Sequence, residues 1–153
     1  LQVDGLPLGR ALGRHYLREE LDAGDADGSV IIVLATDAPL SDRNLARLAR
    51  RGLAGLARTG AAMSDGSGDY ALAFSVAEGV RRRQRREPPV AQVADLANAA
   101  MSPLFLAAIE AAEEAIYNAL CAATTTAGFQ GRAVEALPLE QIAALASSSP
   151  PRR

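Results

Sequence analysis

A chain of 153 residues, 49% of them hydrophobic, is long enough for one domain with its own core and short for two. Its formal net charge of -2 and pI near 5.4 exclude a general electrostatic attraction to nucleic acid or an anionic membrane. All 16 basic residues are arginines, and histidine and cysteine occur once each, as His15 and Cys121. This excludes a phosphate-loop lysine, a Schiff-base lysine, a Ser-Lys dyad, a multi-histidine metal site and an internal disulfide.

From the N-terminus, "LQVDGLPLGRAL" alternates apolar and polar residues around Gly5 and Pro7 and predicts a short strand or hairpin from Leu1 to about Arg10. The acidic, glycine-containing "LREELDAGDADG" from Leu17 to Gly28 reads as a surface loop. "SVIIVLAT" is a continuous β-branched run, expected to be a strand covered on both faces, and Pro39 follows its end. Ser41 or Asp42 can cap a helix in which Leu45, Leu48, Leu53 and Leu56 form a stripe opposite Arg43, Arg47, Arg50, Arg51 and Arg58, with Gly60 placed to stop it. In "YALAFSV", Tyr70, Leu72, Phe74 and Val76 share one strand face. Ser102-Pro103 is a helix start, and the helix to about Thr124 is expected to bury Phe105, Ile109, Ala112, Ile116 and Leu120 and to expose Glu110, Glu113 and Glu114. A shorter helix from Pro138 to Leu145 precedes a tail, residues 147–153, of disordered composition. No internal repeat and no apolar run of about 18 residues is present, and the N-terminus lacks the pattern of a signal peptide. The mature chain is therefore expected to be soluble, and the sequence leaves its location, cytoplasmic or periplasmic, open. The start at Leu1 rather than Met reads as a processed or truncated piece.

Several segments invite a chemical reading and fail it. The glycine-rich "TGAAMSDGSGD" lacks the phosphate-loop lysine and leads into a strand rather than a helix, so it reads as a tight connection. The arginines from Arg81 to Arg86 have no interleaved aromatics and read as a solvated linker or subunit contact. Cys121 is expected to be a small core hydrophobe, and nothing in its spacing directs His15 toward a serine.

Ser29 is different, because a flexible run meets a rigid strand at Gly28-Ser29. A glycine there permits an unusual backbone conformation, so that the Ser29 hydroxyl can reach the carbonyl before it. Attack on Gly28 would give an ester, and hydrolysis would free a chain beginning with Ser29. The new α-amino group, with an intrinsic pKa of about 7.7 to 8.0, could serve as a base in a chain without lysine. On spacing alone, the competing reading is an ordinary turn before a strand.

The residues "DGSVIIVLATDAPLSDRNLARLARRGLAGLARTGAAMSDGSGDYALAFS", continued by "AAEEAIYNAL", "TTTAGFQGR" and "VEALPLE", resemble the DmpA family of L-aminopeptidase/D-amidase-esterases and β-peptidyl aminopeptidases. The resemblance implies an α/β fold, an αββα sandwich similar to that of N-terminal-nucleophile hydrolases, with the connectivity shared by DmpA and ornithine acetyltransferase. It implies one domain over 1–146, in which 1–28 is the tail of an α-chain and 29–146 a β-chain. It also implies autocatalytic cleavage between Gly28 and Ser29, with Ser29 as nucleophile, Ser67 a serine bonding near it, and Asp69 an acidic residue that orients serine and amine. Some members carry glutamate at the position of Asp69. The expected substrate is a peptide, amide or ester, and the expected partners are the upstream α-chain and further copies in an oligomer. No metal or organic cofactor, nucleic acid or membrane is implied. The family's oxyanion asparagine and much of its pocket would lie before Leu1, so the fragment alone is expected to be inactive. Two alternatives remain: an acyltransferase of the related self-cleaving superfamily, which usually carries threonine as nucleophile, and an uncleaved assembly fragment without catalysis.

Overall fold

The computed structural model describes residues 1–14, 28–82, 90 and 92–148. His15, Arg83 to Arg86 and most of the acidic run after Leu17 lie outside the described residues. The chain divides into two compact units, Leu1–Gly24 with Glu114–Arg153, and Asp25–Glu113.

The second unit is a β-α-β arrangement. Strand β1 (Ile31–Thr36) and strand β2 (Tyr70–Ser75) pair in parallel from Ile31 opposite Tyr70 to Thr36 opposite Ser75. Between them runs helix α2 (Asp42–Arg58), the crossover that a parallel pair requires. Ser41 caps α2 by accepting from the Asn44 N–H, and Gly60, at φ 87, turns the chain out of it. Among the described residues the strand pair is covered on one face only, where Ile32 is buried and Leu34 and Ala73 pack against the Leu40, Leu48, Met101 and Ala108 cluster. The expected two-sided cover of β1 is not found, since Ile31 is 70% and Val33 56% exposed. The face shared by Tyr70, Leu72 and Phe74 is the bare one as well. In-register parallel strands put alternate residues of both on the same side, so the bare face is a continuous apolar ladder.

The buried stripe of α2 consists of Asn44, Leu48, Ala49, Gly52, Gly55 and Leu56, which differs from the leucine stripe expected from periodicity. Two glycines lie in it because backbones come close. A Cβ on Gly52 would stand 2.9 Å from Ile32 Cγ2, and one on Gly55 would stand 2.5 Å from the Ile109 carbonyl oxygen and 2.8 Å from Ala112 Cβ. Glycine costs a helix interior about 1 kcal/mol relative to alanine, and here the close contact of α2 with β1 and with the following helix is what it permits. Nor do all the arginines face water: the Arg47 and Arg51 guanidinium carbons lie 5.0 and 4.5 Å from the centroid of the Phe105 ring.

That following helix, α3, spans Met101–Ala122 and begins two residues before Pro103. Proline is compatible with this start because the first-turn N–H groups have no helical acceptor. Met101, Ala108 and Ala112 are buried; Phe105, Ile109, Ile116 and Leu120 are only half-buried, and Glu113 pairs with Arg58 at 3.3 Å. Cys121 is exposed rather than in the core, one residue and about 100° around the helix from half-buried Leu120.

Asp95 ties the preceding segment to the start of α2. Its Oδ1 accepts from the Ser41 N–H at 2.8 Å and Asn44 Nδ2 at 2.9 Å, and its Oδ2 accepts from Ser41 Oγ at 2.9 Å. Asn44, 1% exposed, also donates to the Leu96 carbonyl and accepts from Arg47. The Ser41 backbone N–H first, then the Asn44 and Ser41 side chains, hold the Asp95 carboxyl below its usual value. A carboxylate with a lowered folded pKa contributes stability above its unfolded pKa of about 3.9, and that contribution is lost as pH falls through the folded value. Asp95→Asn is thus expected to lower the thermal midpoint at neutral pH. The gap from wild type should narrow steadily in melts taken at decreasing pH through the carboxylate range. A gap that does not depend on pH would show that the charge contributes nothing.

In the first unit, Val3 and Leu6 form an antiparallel bridge around Asp4 and Gly5, both at positive φ, so a tight reversal exists where a strand or hairpin was expected. It ends early, because helix α1 (Leu8–Ala11) follows Pro7. Tyr117 Oη donates to the Gln2 carbonyl at 2.8 Å. Strands β3 (Thr126–Ala127) and β4 (Ala133–Val134) form a short hairpin, with Gln130 and Gly131 at positive φ in its tip. Helix α4 (Leu139–Ser148) runs three residues beyond the expected end, so Ser147 and Ser148 are helical, not tail. Their hydroxyls donate back to the Ala143 and Leu145 carbonyls, which lets serine remain in the last turn. Among the described residues no helix is long and apolar enough to cross a membrane.

Candidate active site

Gly28 and Ser29 lie just before β1, and residues 67–69 lie just before β2. The parallel register therefore brings both segments to the same end of the strand pair. The Tyr70 N–H donates to the Val30 carbonyl at 2.9 Å, extending the pairing toward Ser29. A turn closed by the Ser67 N–H on the Ser64 carbonyl presents Ser67, Gly68 and Asp69 to it.

The contacts there are specific. Ser67 Oγ lies 2.8 Å from the Gly28 carbonyl oxygen and 2.8 Å from Asp69 Oδ2. One hydroxyl proton serves one of these acceptors at a time. The Gly68 N–H donates to Ser29 Oγ at 3.0 Å, and the Val30 N–H donates to Asp69 Oδ1 at 3.0 Å. Consecutive residues of one loop thus hold the carbonyl on one side of the Gly28-Ser29 bond and the hydroxyl on the other. Ser67, Gly68 and Asp69 are half-buried, while Gly28 and Ser29 are exposed.

All four residues singled out in the sequence, Gly28, Ser29, Ser67 and Asp69, meet at this point. Two contributors were missed, the backbone N–H groups of Gly68 and Val30. Every non-proline residue carries this donor, so no residue type announces it.

A serine hydroxyl that accepts from a main-chain N–H, beside a carbonyl faced by a second serine whose hydroxyl also faces a carboxylate, at the ends of two parallel strands, is a candidate site for serine-based acyl transfer on an α/β scaffold. The chain belongs to peptidase family S58, the DmpA family, whose model matches residues 1–134. It is 39% identical over 155 aligned positions to β-peptidyl aminopeptidase BapA of Sphingosinicella microcystinivorans, covering 95% of this chain and 39% of that protein. Among solved structures it is similar to the L-aminopeptidase D-Ala-esterase/amidase of Ochrobactrum anthropi, with TM-score 0.80 and 34% identity, covering 96% of this chain and 39% of the other. That protein is described as a prototype for the serine aminopeptidases and a new variant among the Ntn hydrolase fold. A protein of Pyrococcus horikoshii is similar too, with TM-score 0.78 and 40% identity, covering 96% of this chain and 38% of its own. The α/β fold implied by the resemblance is the one shared with the Ochrobactrum structure. The chain spans about two fifths of the length of these relatives.

Proposed function

We propose that this chain is the nucleophile-bearing part of a self-processing serine aminopeptidase or amidase. The observation that carries the reading is the paired grip of Ser67 on the Gly28 carbonyl and of Gly68 on the Ser29 hydroxyl. In self-processing, Ser29 Oγ bonds to the Gly28 carbonyl carbon, the C–N bond breaks, and the hydroxyl proton ends on the Ser29 nitrogen. Water then hydrolyses the ester, leaving a carboxylate at Gly28, the hydroxyl restored on Ser29 and a free Ser29 amine.

That amine is the base for the second reaction. It takes the Ser29 hydroxyl proton as Oγ attacks the acyl carbon of a substrate's N-terminal residue and passes it to the departing amine. Ser67 Oγ is placed to donate to the oxygen on the attacked carbon, and Asp69 positions both Ser67 and the backbone at Val30. The substrate class is peptides, amides or esters with a free N-terminal residue, and β-peptides are included by likeness to the BapA relative.

The bare apolar ladder of Ile31, Val33, Tyr70, Leu72 and Phe74 supports a division of labour. An upstream α-chain of the same precursor covers this face, completes the sandwich and supplies the rest of the pocket. The β-part alone is then inactive, and the complete αβ unit assembles with further copies.

Intact-mass spectrometry of the longest natural reading frame that carries these residues tests the proposal. Two fragments meeting at Gly28-Ser29 are expected, together with release of N-terminal residues from small aminoacyl amides. A single uncut species without aminopeptidase activity would overturn it.

A further inference from the structure

We infer that the outward face of α2 and the first half of α3 is a self-complementary charged surface, and that its partner is the same face of a second copy of this chain. This deepens the reading that the complete αβ unit assembles with further copies, by naming the surface that does so. The two helices lie side by side and run the same way: Arg47 and Arg51 stand over Phe105, Gly55 comes close to Ile109 and Ala112, and Arg58 pairs with Glu113 at 3.3 Å. Charge is spread unevenly along them. Arg43, Arg47, Arg50 and Arg51 sit toward the start of α2, whereas Glu110 and Glu113 lie level with its end. Between these ends Leu106 is 50% exposed, one turn before Glu110 on the same stripe of α3.

The basic end is held in place without being neutralised. Arg47 Nη1 donates to Asn44 Oδ1 at 2.8 Å and to Asn98 Oδ1 at 2.7 Å, and Arg43 Nη1 donates to the same Asn98 oxygen at 3.3 Å. Together with the Phe105 ring, these neutral partners fix the guanidinium groups and leave their charge. Among the described residues no carboxylate stands at ion-pair distance from Arg43, Arg47, Arg50 or Arg51. Asp95 feels the charge of Arg43, but its oxygens accept from Ser41 and Asn44. An arginine already held by neutral groups loses less side-chain freedom when a carboxylate docks on it. At the other end Glu113 is engaged by Arg58, and Glu110 is exposed.

A twofold axis near Leu106, perpendicular to the helices, reverses the second copy. Glu110 of each copy then comes to the basic end of the other, and the two Leu106 side chains meet at the centre, so an apolar middle is rimmed by opposite charges and every contact is made twice. A uniformly acidic partner, such as a nucleic acid, would meet repulsion from Glu110 and Glu113. The bare ladder of the strand pair is apolar and lies on the other side of the sheet from α2, so the upstream chain and the second copy do not compete for one surface.

The test measures mass by sedimentation velocity over a dilution series of the longest natural reading frame, in wild type, Arg50→Glu, Glu110→Arg and the double variant. Wild type is expected to associate, and more weakly as ionic strength rises from about 0.1 to 1 M and the screening length falls from about 10 to 3 Å. Each single reversal is expected to weaken association by at least about tenfold, since symmetry turns two attractions into two repulsions. The double variant, which exchanges the signs, is expected to associate more tightly than either single one. Single variants that associate like wild type, a double variant no better than either, or a wild type monomeric at every concentration overturns the inference. Leu106→Asp sets two carboxylates face to face on the axis and is expected to separate the copies; it carries the test if a reversal does not fold, and unchanged association there overturns the inference as well. Intact mass and an aminopeptidase assay on the same preparations tell the two readings apart. An uncut, inactive wild type whose association still follows the charges removes self-processing and leaves this surface standing, whereas a cut, active wild type whose variants all associate alike does the reverse.

Discussion

Ser29→Ala is expected to stay one uncut species under conditions in which the wild type separates into two, and to have lost aminopeptidase activity by at least about a thousandfold, as nucleophile deletions in acyl-transfer enzymes do. Two functions disappear with one oxygen. The atom that attacks the Gly28 carbonyl is gone, and without the cut the Ser29 nitrogen remains an amide, which is no base at neutral pH. The remaining contacts are unaffected in kind, since Ser67 still faces the Gly28 carbonyl and the Gly68 N–H can turn to water. A folded but intact variant is therefore the expected product, with a thermal midpoint close to that of the uncut wild type. Mass spectrometry and an amide-hydrolysis assay on one preparation check both parts. Cleavage of Ser29→Ala at the same bond would assign the cut to an external protease.

The second large effect falls on the loop that holds the bond. Ser67→Ala removes the donor facing the Gly28 carbonyl oxygen, and its loss is expected to slow self-cleavage by about 10²–10³, the cost of one donor to a developing oxyanion. Asp69 separates charge from geometry. As a carboxylate it competes with the Gly28 carbonyl for the single Ser67 proton, and it also accepts the Val30 N–H. Asp69→Asn keeps an acceptor for Val30 and can donate its amide to Ser67 Oγ, which releases the Ser67 proton toward the carbonyl. Asp69→Ala keeps neither contact. Processing rates are therefore expected to fall in the order Asp69→Asn, then Asp69→Ala, with Ser67→Ala slowest. Equal rates for the two Asp69 variants would mean that the hydrogen bond to Val30 does not position the site.

Helices and strands with strong local signals were legible in the sequence. The Ser41 cap and the Gly60 stop of α2 are governed by chemistry within a few residues, and the structure places both as expected. Boundaries that depend on neighbours were not. α3 begins at Met101 because a single helical turn, Asn98–Ala100, leads straight into it, and α4 runs to Ser148 because its serines find carbonyls one turn back. The α2 stripe misled for a related reason. Periodicity counts leucines, but the helix meets β1 and α3 closely enough to require Gly52 and Gly55, and two of its arginines find Phe105 instead of water. For the site, Ser67 and Asp69 stand 38 and 40 positions beyond Ser29, a separation that no local pattern bridges. Only the resemblance to a family linked them.

By itself the sequence determined which chemistry was open: no lysine, one histidine, and a serine where a flexible run meets a β-branched strand. It determined β1, α2, β2, α3 and α4 as elements, though neither α1 nor the β3–β4 hairpin, since caps, breakers and residue shape act over a few positions. The tertiary structure decided the rest. Parallel pairing in the register of Ile31 with Tyr70 is what carries Ser67, Gly68 and Asp69 to Gly28 and Ser29, and one-sided cover by α2 is what leaves the ladder from Ile31 to Phe74 bare. Register and cover arise from contacts between segments distant in the chain. Their energy belongs to the pair and not to either partner, so neither segment alone contains it.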